Sequence, residues 1–405
     1  MATATRRWLA VFVWIAVIYT AIPFVRALRE WFVGRWDEAL IAWAVAAALV
    51  AAAALAVALT RRAPALRPGG LLWIAGVTAI LLAWTYHLRH RPEEAVHFLQ
   101  YGVLAVLLFR ALRPIVPDAT VFLAGAIAGA LVGTADEVIQ WLTPSRFWDW
   151  RDVVINAGTG ALVQLALWRA LPPSGVPPSV GSLRLVLRLT MAQLLLLGLC
   201  LANTPARVAV WAPALGLPHL TSSVNPMAEY GHRHEVPGLG VFNSRLSLAE
   251  LEAEDRARAA EVAAVLDDTR HSYGRFLDTW PAAEDPFTYE ARVHLFSRDH
   301  NLAEARQAGF AGAAARRAAT VAWFENALLE RHFGRTLAAS SYPWGPEQRA
   351  RVEAAREPGR RLVSAAGSHL ITVASEGRLR ALLVAALALL AVAALSLGRY
   401  HRSRP

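Results

Sequence analysis

GAIAGALVGTADEVIQWLTPSRFWDWRDVVINAGTG, residues 125–160, decides how the rest of the chain is read. It opens as an apolar helix in which Gly125, Gly129 and Gly133 recur every four residues, and Glu137 continues the row. Small residues at that spacing let a second helix approach closely, so the row turns inward and carries Glu137 with it. Asp136 and Gln140 flank that carboxylate. A carboxylate at membrane depth costs a few kcal/mol unless it is paired or protonated. Arg146 is the nearest cation in sequence, with Arg89 and Arg151 as alternatives. The next helix repeats the logic, with Asp152, Asn156, Gly160 and Gln164 forming an i, i+4 ladder. Asp152 opens that helix, where capping alone would account for it. Capping does not account for Asn156 and Gln164, which lie deeper. Trp141, Phe147, Trp148 and Trp150 read as an interfacial aromatic belt, with Asp149 among them.

Working outward, apolar runs surround this stretch. The chain has 405 residues, 56% of them hydrophobic, and a mean hydropathy of +0.35. Such values exceed those of an ordinary soluble domain. The periodicity predicts an all-α polytopic membrane protein with spans near 8–28, 39–59, 70–88, 95–112, 119–141, 152–171, 183–202 and 379–398. The net charge is +10, carried by Arg alone. Residues 203–378 hold 20 Arg against 21 acids, so the excess lies beside the apolar segments and argues against nucleic acid as a partner. With the N-terminus inside, the cytoplasmic pieces hold 13 Arg and one acid, and the opposite loops 8 Arg and nine acids. That asymmetry predicts both termini inside and 203–378 outside. The division is then a six-helix membrane domain over 1–171, a Pro-rich linker over 172–182, a seventh span, an outer domain over 203–378, an eighth span and a tail from 399. The single cysteine, Cys200, falls in an apolar helix and excludes any intrachain disulfide.

The outer region is expected to be mainly helical with some strand, an α+β arrangement. Residues 203–240 read as irregular. Residues 247–268 read as a helix with Ser247 and Glu250 as a capping box. TYEARVHLFS, 288–297, alternates like a strand. Residues 301–334 read as helix broken at Gly309 and Gly312, and 346–357 and 360–375 as further helices. GHRHE, 231–235, offers His232, His234 and Glu235 as metal ligands, or simply exposed histidines. Arg292, His294, Arg298, Asp299 and His300 offer an anion site, or a solvated face.

The fourth span places Glu94, His97 and Tyr101 at i, i+3 and i+7, one helix face near the end that faces the 125–160 groups. A carboxylate beside an imidazole can tune a proton carrier, or both can simply be solvated at the interface. Together Glu94, His97, Tyr101, Asp136, Glu137, Gln140, Arg146, Asp149, Asp152 and Asn156 form a candidate polar site at one membrane face. Gly125, Gly129, Gly133 and Gly160 are the candidate helix-packing positions. No recognised metal spacing, nucleophile elbow or phosphate loop is present, so neither a metal nor a cofactor is expected.

EEAVHFLQYGVLAVLLFRAL followed by DEVIQWLTPSRFWDWRDVVINAGTGAL resembles the VanZ-like membrane proteins. Their pattern of His and Tyr, then an acid and Gln, then Arg, then Asp and Asn with trailing Gly falls on His97, Tyr101, Glu137, Gln140, Arg146, Asp152, Asn156 and Gly160. The resemblance covers about 8–171. It implies a bacterial integral membrane protein of the cell envelope, in a family named from a teicoplanin-resistance protein, and it names no reaction. Three functions stay open. The bundle binds or shields an anionic lipid or cell-wall precursor. It is a membrane enzyme on a lipid-linked phosphate or sugar, with Glu137 or His97 as acid/base. Or it anchors the outer domain.

Overall fold

The computed structural model describes residues 2–36, 39–61, 67, 69–89, 91–144, 146–171, 175–221 and 227–402. Side chains at 2, 25–30, 33, 55–61, 92 and 398–402 are not described. Of the residues read from sequence, Asp37, Glu38, Arg62, His90, Arg404 and linker positions 172–174 therefore lie outside the description. The chain divides into two compact units. One comprises Met1–Cys200 with Arg380–Pro405, and the other Leu201–Leu379.

The first unit is a bundle of α1 (Ala2–Val33), α2 (Ala39–Arg61), α3 (Gly70–His87), α4 (Pro92–Leu112), α5 (Thr120–Leu142), α6 (Trp150–Ala170) and most of α7 (Val180–Ala202). Seven helices of the chain, among the described residues, are long and apolar enough to cross a membrane, the seventh near the C-terminus. Within α2, where the second span was expected, the described part Ala39–Ala54 is apolar but shorter than a membrane span. α4 is the centre of the bundle. Its Ala95 and Phe98 pack with α2, α3 and α6, its Tyr101, Leu104 and Leu108 with α1, and its Phe109 and Leu112 with α5. It packs on most of its sides, with Val103 and Val106 left on an exposed strip.

α5 and α6 lie against each other where the glycines permit it. A Cβ on Gly125 would stand 2.5 Å from the Gln164 amide nitrogen, and one on Gly133 would stand 2.6 Å from Asn156 Cβ. A Cβ on Gly129 would meet Leu108 at an ordinary 3.8 Å, and one on Gly160 would meet nothing within 4 Å. Gly160 is thus not required for helix approach. The link before α7 is tied down rather than loose. Asp118, between α4 and α5, accepts from Ser179 N at 3.1 Å and from Thr120 Oγ1 at 2.6 Å. Burial opposes the Asp118 charge, yet hydrogen bonds from Ser182, Thr120 and Ser179 hold its pKa below the usual carboxylate range. Leu185, Val186 and Leu189 of α7 then pack on Phe109 and Val121. α7 is thus packed against the six preceding helices as part of the same compact unit.

The second unit contains α8 (Pro205–Ala214), β1 (His232–Val236), β2 (Gly240–Ser244), α9 (Leu248–Asp267), α10 (Tyr273–Thr279), α11 (Pro286–Gln307), α12 (Gly312–His332), α13 (Gly334–Ala339), α14 (Pro346–Ala355) and β3 (Leu362–Val363). α15 (Glu376–Arg402) then returns the chain to the first unit. β1 pairs antiparallel with β2, and β2 parallel with β3. The α9 capping box is present as read. Gly309 and Gly312, at φ 59° and 82°, take the left-handed conformation that ends α11 and precedes α12.

Three sequence readings are corrected. Residues 288–297 are helix, not strand. Asp285 caps α11 by accepting from Thr288 N, Pro286 occupies its first turn, and Phe287, Ala291, His294, Leu295, Arg298 and Leu302 are buried at helical spacing. Residues 360–375 are not a helix but hold β3 and turns, which follow the Pro-Gly pair at 358–359. The stretch 203–240 is more regular than its prolines suggest, since Pro205 starts α8 instead of breaking it. The two ends of this unit are tied together. Arg207 pairs with Glu376 at 2.7 Å, Tyr230 Oη donates to Leu201 O at 2.8 Å, and Tyr230 bridges to Ile371. In the first unit, α7 and α15 touch closely, a Cβ on Gly198 standing 2.2 Å from Leu383.

Candidate functional site

The candidate groups converge where the start of α4, the end of α5 and the start of α6 meet. Each arrives for a local reason. The Gly row draws α5 against α6 and buries Asp136 and Glu137, which are 2% and 0% exposed. Tyr101, one turn below His97, donates its hydroxyl to Asp136 Oδ2 at 2.9 Å. The Tyr101 and His97 rings stack at 6.1 Å. Gln140 and Asn156 both donate to Glu137 Oε1, at 3.1 and 3.3 Å. Asn156 reaches that point because Gly133 gives it room. Arg146 folds back after the turn at Pro144 and donates to Gln140 Oε1. Arg146 is thus linked to Glu137 through an amide.

A second, outer group lies at the rim. Arg151 pairs with Glu94 at 2.5 Å and with Asp149 at 3.2 Å, and Arg91 approaches Glu94 at 3.5 Å. Glu94 therefore does not share a partner with Tyr101, although both lie on one face of α4. Asp149, not Asp152, caps α6, accepting from Arg151 N at 2.7 Å. Asp152 sits in the first turn behind the cap and interacts electrostatically with both Glu137 and Glu94. Gln164 lies lower and donates to Ala105 O at 2.8 Å, so it joins α6 to α4 and not to the site. Trp141 and Trp148 are buried, leaving Phe147 as the exposed member of the expected aromatic belt.

The inner group is incompletely satisfied. His97 Nδ1, Asp136 Oδ1, Glu137 Oε2, Asp152 Oδ1 and Asn156 Oδ1 are buried without a hydrogen-bond partner. Buried polar atoms normally have partners, and those that lack them mark ligand, ion or water positions. His97, Asp136 and Glu137 each offer one ligand atom, and these atoms lie within 4.8 Å of one another. Among the described residues this is the single such grouping of His, Cys, Asp and Glu.

Residues 10–172 match the VanZ/LLP1 family model. This part of the chain is a VanZ-like domain. The match ends at the close of α6, so the VanZ-like domain contains the whole site, while α7, the second unit and α15 are additions to it. No curated protein and no solved structure matches the chain.

The histidine-rich segments of the second unit do not form the sites considered for them. On β1, His232 and His234 share one face and Glu235 points to the other, where it pairs with Arg361 at 2.5 Å. His234 Nε2 is held by Leu246 O at 2.9 Å. His294 pairs with Glu325 at 2.7 Å, and Arg298 bonds Asp299, Asn326 and the Tyr342 carbonyl, so these groups serve the core. Sequence reasoning missed the buried Glu290, Glu325 and Asn326 of this core. Glu290 stands four residues before His294 and eight before Arg298, on one α11 face, the signal that could have shown it.

Proposed function

We propose that the VanZ-like bundle binds the polar head of an anionic lipid or a lipid-linked cell-wall precursor at the outer face of the membrane. The observation that carries this reading is the inner group itself. Buried polar atoms of Asp136, Glu137, His97 and Asn156 stand without partners together at one end of the bundle. Partly satisfied buried networks are costly, and polar groups within a membrane bundle face a ligand or ion path. The rim arginines, Arg91, Arg146 and Arg151, supply donors suited to a phosphate. The Arg asymmetry between alternate loops supports the outer placement and cytoplasmic termini.

A second reading draws on His97. An imidazole beside two buried carboxylates also suits a membrane enzyme that acts on a lipid-linked phosphate or sugar, with Glu137 or His97 as acid/base. The anchoring role alone leaves the unsatisfied atoms without a purpose.

The test is the lipid content of the purified full chain. Mass spectrometry of detergent-extracted protein should show an anionic lipid or lipid-linked phosphate enriched over the source membrane. Arg146→Gln and Glu137→Gln should lose that enrichment while still inserting. Identical lipid profiles for all three proteins overturn the binding reading. Consumption of the enriched species by wild type, and not by Glu137→Gln, decides for the enzyme.

A further inference from the structure

We propose that His97, Asp136 and Glu137 form a divalent transition-metal site within the bundle. Three features of the geometry converge on it. The first is the donor set. One imidazole and two carboxylates come from two helices, with one ligand atom each inside a 4.8 Å circle. Donors around a cation with bonds of about 2.1 Å stand at most about 4.2 Å apart, so a small rotation of the side chains closes the set. A mixed nitrogen and oxygen set suits Mn²⁺ or Zn²⁺ better than Ca²⁺ or Mg²⁺, which take oxygen alone.

The second feature is the pattern of satisfied and unsatisfied atoms. Asp136 has Oδ2 engaged by Tyr101 and Oδ1 without a partner. Glu137 has Oε1 engaged by Gln140 and Asn156 and Oε2 without a partner. His97 Nδ1 is likewise buried without a partner. Outer hydrogen bonds that hold one atom of each ligand and leave another available are what a metal site requires to fix its ligands in place. Tyr101, Gln140 and Asn156 would be the positioning residues.

The third is charge. Asp136 and Glu137 are adjacent and almost fully enclosed, and Arg146, hydrogen-bonded to Gln140, supplies one positive charge that acts on both. A buried pair of carboxylates is stable with a cation between them or with protons added. A divalent ion supplies two positive charges at the point where both carboxylates meet. It also gives an acid-lined pocket a means to hold a phosphate, although the metal site stands without that.

Metal binding to the full chain, stripped with chelator and held in detergent, tests this. Mn²⁺ titration followed by electron paramagnetic resonance should show about one saturable site per chain, displaced by Zn²⁺. His97→Ala, Asp136→Asn and Glu137→Gln should each weaken it at least tenfold. Glu252→Gln, which removes one charge from an exposed pair in the second unit, should bind as wild type does. Saturating metal should also raise the wild-type melting temperature. Should any variant fail to fold, the wild-type titration and melting shift still decide. No saturable site in wild type, or binding unchanged by the three inner substitutions, overturns the proposal. Because the readout is metal alone, its failure is separate from a failure to retain lipid.

Discussion

Both units bury clusters of charge, and they finish them differently. In the second unit every carboxylate oxygen in the cluster has a partner. Glu229 meets Arg245 through both oxygens, at 2.7 and 2.8 Å, and also His369. Glu290 accepts from Ser244 at 2.5 Å and from Arg245 N and Nη1. Glu325 meets His294 and Ser364. In the bundle, Asp136 and Glu137 each keep one oxygen without a partner. A closed network fixes a fold, whereas an open one is kept for something that binds. On the proposed reading, the difference separates charge that holds the fold from charge kept for a ligand.

The largest expected effect tests the closed side. Glu290→Ala leaves Arg245 short of a partner in a buried place, and should cost about 3–5 kcal/mol of second-unit stability. Urea unfolding of the full chain measures it, and a loss below about 1 kcal/mol would put Glu290 among the dispensable charges. On the open side, the helix contact matters more than the charge. Gly133→Ala drives a methyl into Asn156 and should destabilise the bundle by about 1–3 kcal/mol. Gly160→Ala meets nothing and should be neutral or slightly stabilising. Detergent melting curves of the two variants should therefore move apart.

A smaller effect is pH-dependent. Burial pushes the His332 pKa down from 6.5 to about 4, aided by Arg331, His234 and His294. The unfolded chain then binds more protons between those values, so second-unit stability should fall as pH drops from 6.5 toward 4. For His294 burial opposes charging, but Glu325 and Glu290 outweigh it and its pKa is raised. Its contribution is present below the unfolded value and lost as pH rises through the raised one. His332→Gln should flatten the acid limb of a stability–pH curve and leave the alkaline limb in place. The smallest expected effect is the sharpest for the comparison. Glu137→Gln keeps the shape, removes an ionisable group from a crowded acidic cluster, and should cost no stability, while lipid retention falls. A marked drop in melting temperature would move Glu137 to the structural side.

The membrane part was legible because its signals are local. The Gly row and the apolar spans each lie within a single helix, where spacing alone carries the information, and the Ser247–Glu250 box of the second unit was legible for the same reason. The site was legible as a set of residues, but not as an arrangement. Tyr101 and Asp136 are 35 positions apart, and only the fold tells which oxygen of Asp136 is taken. Segment 288–297 misled because Tyr289, Ala291, Val293 and Leu295 alternate while Phe287, Ala291, Leu295 and Leu302 follow a helix. The buried charges Glu290, His294 and Arg298 hid the second pattern, since their partners come from elsewhere in the chain.

The paired ends of the second unit carry an evolutionary meaning. Arg207 with Glu376, and Tyr230 with Leu201 and Ile371, bring its entry and exit segments side by side. α7 and α15, which flank it in sequence, touch at Gly198 and Leu383. Two neighbouring helices joined by a self-closing module have the layout of a hairpin into whose turn a cassette was spliced. Such a cassette can be gained, exchanged or lost without rethreading the membrane, because its ends already meet.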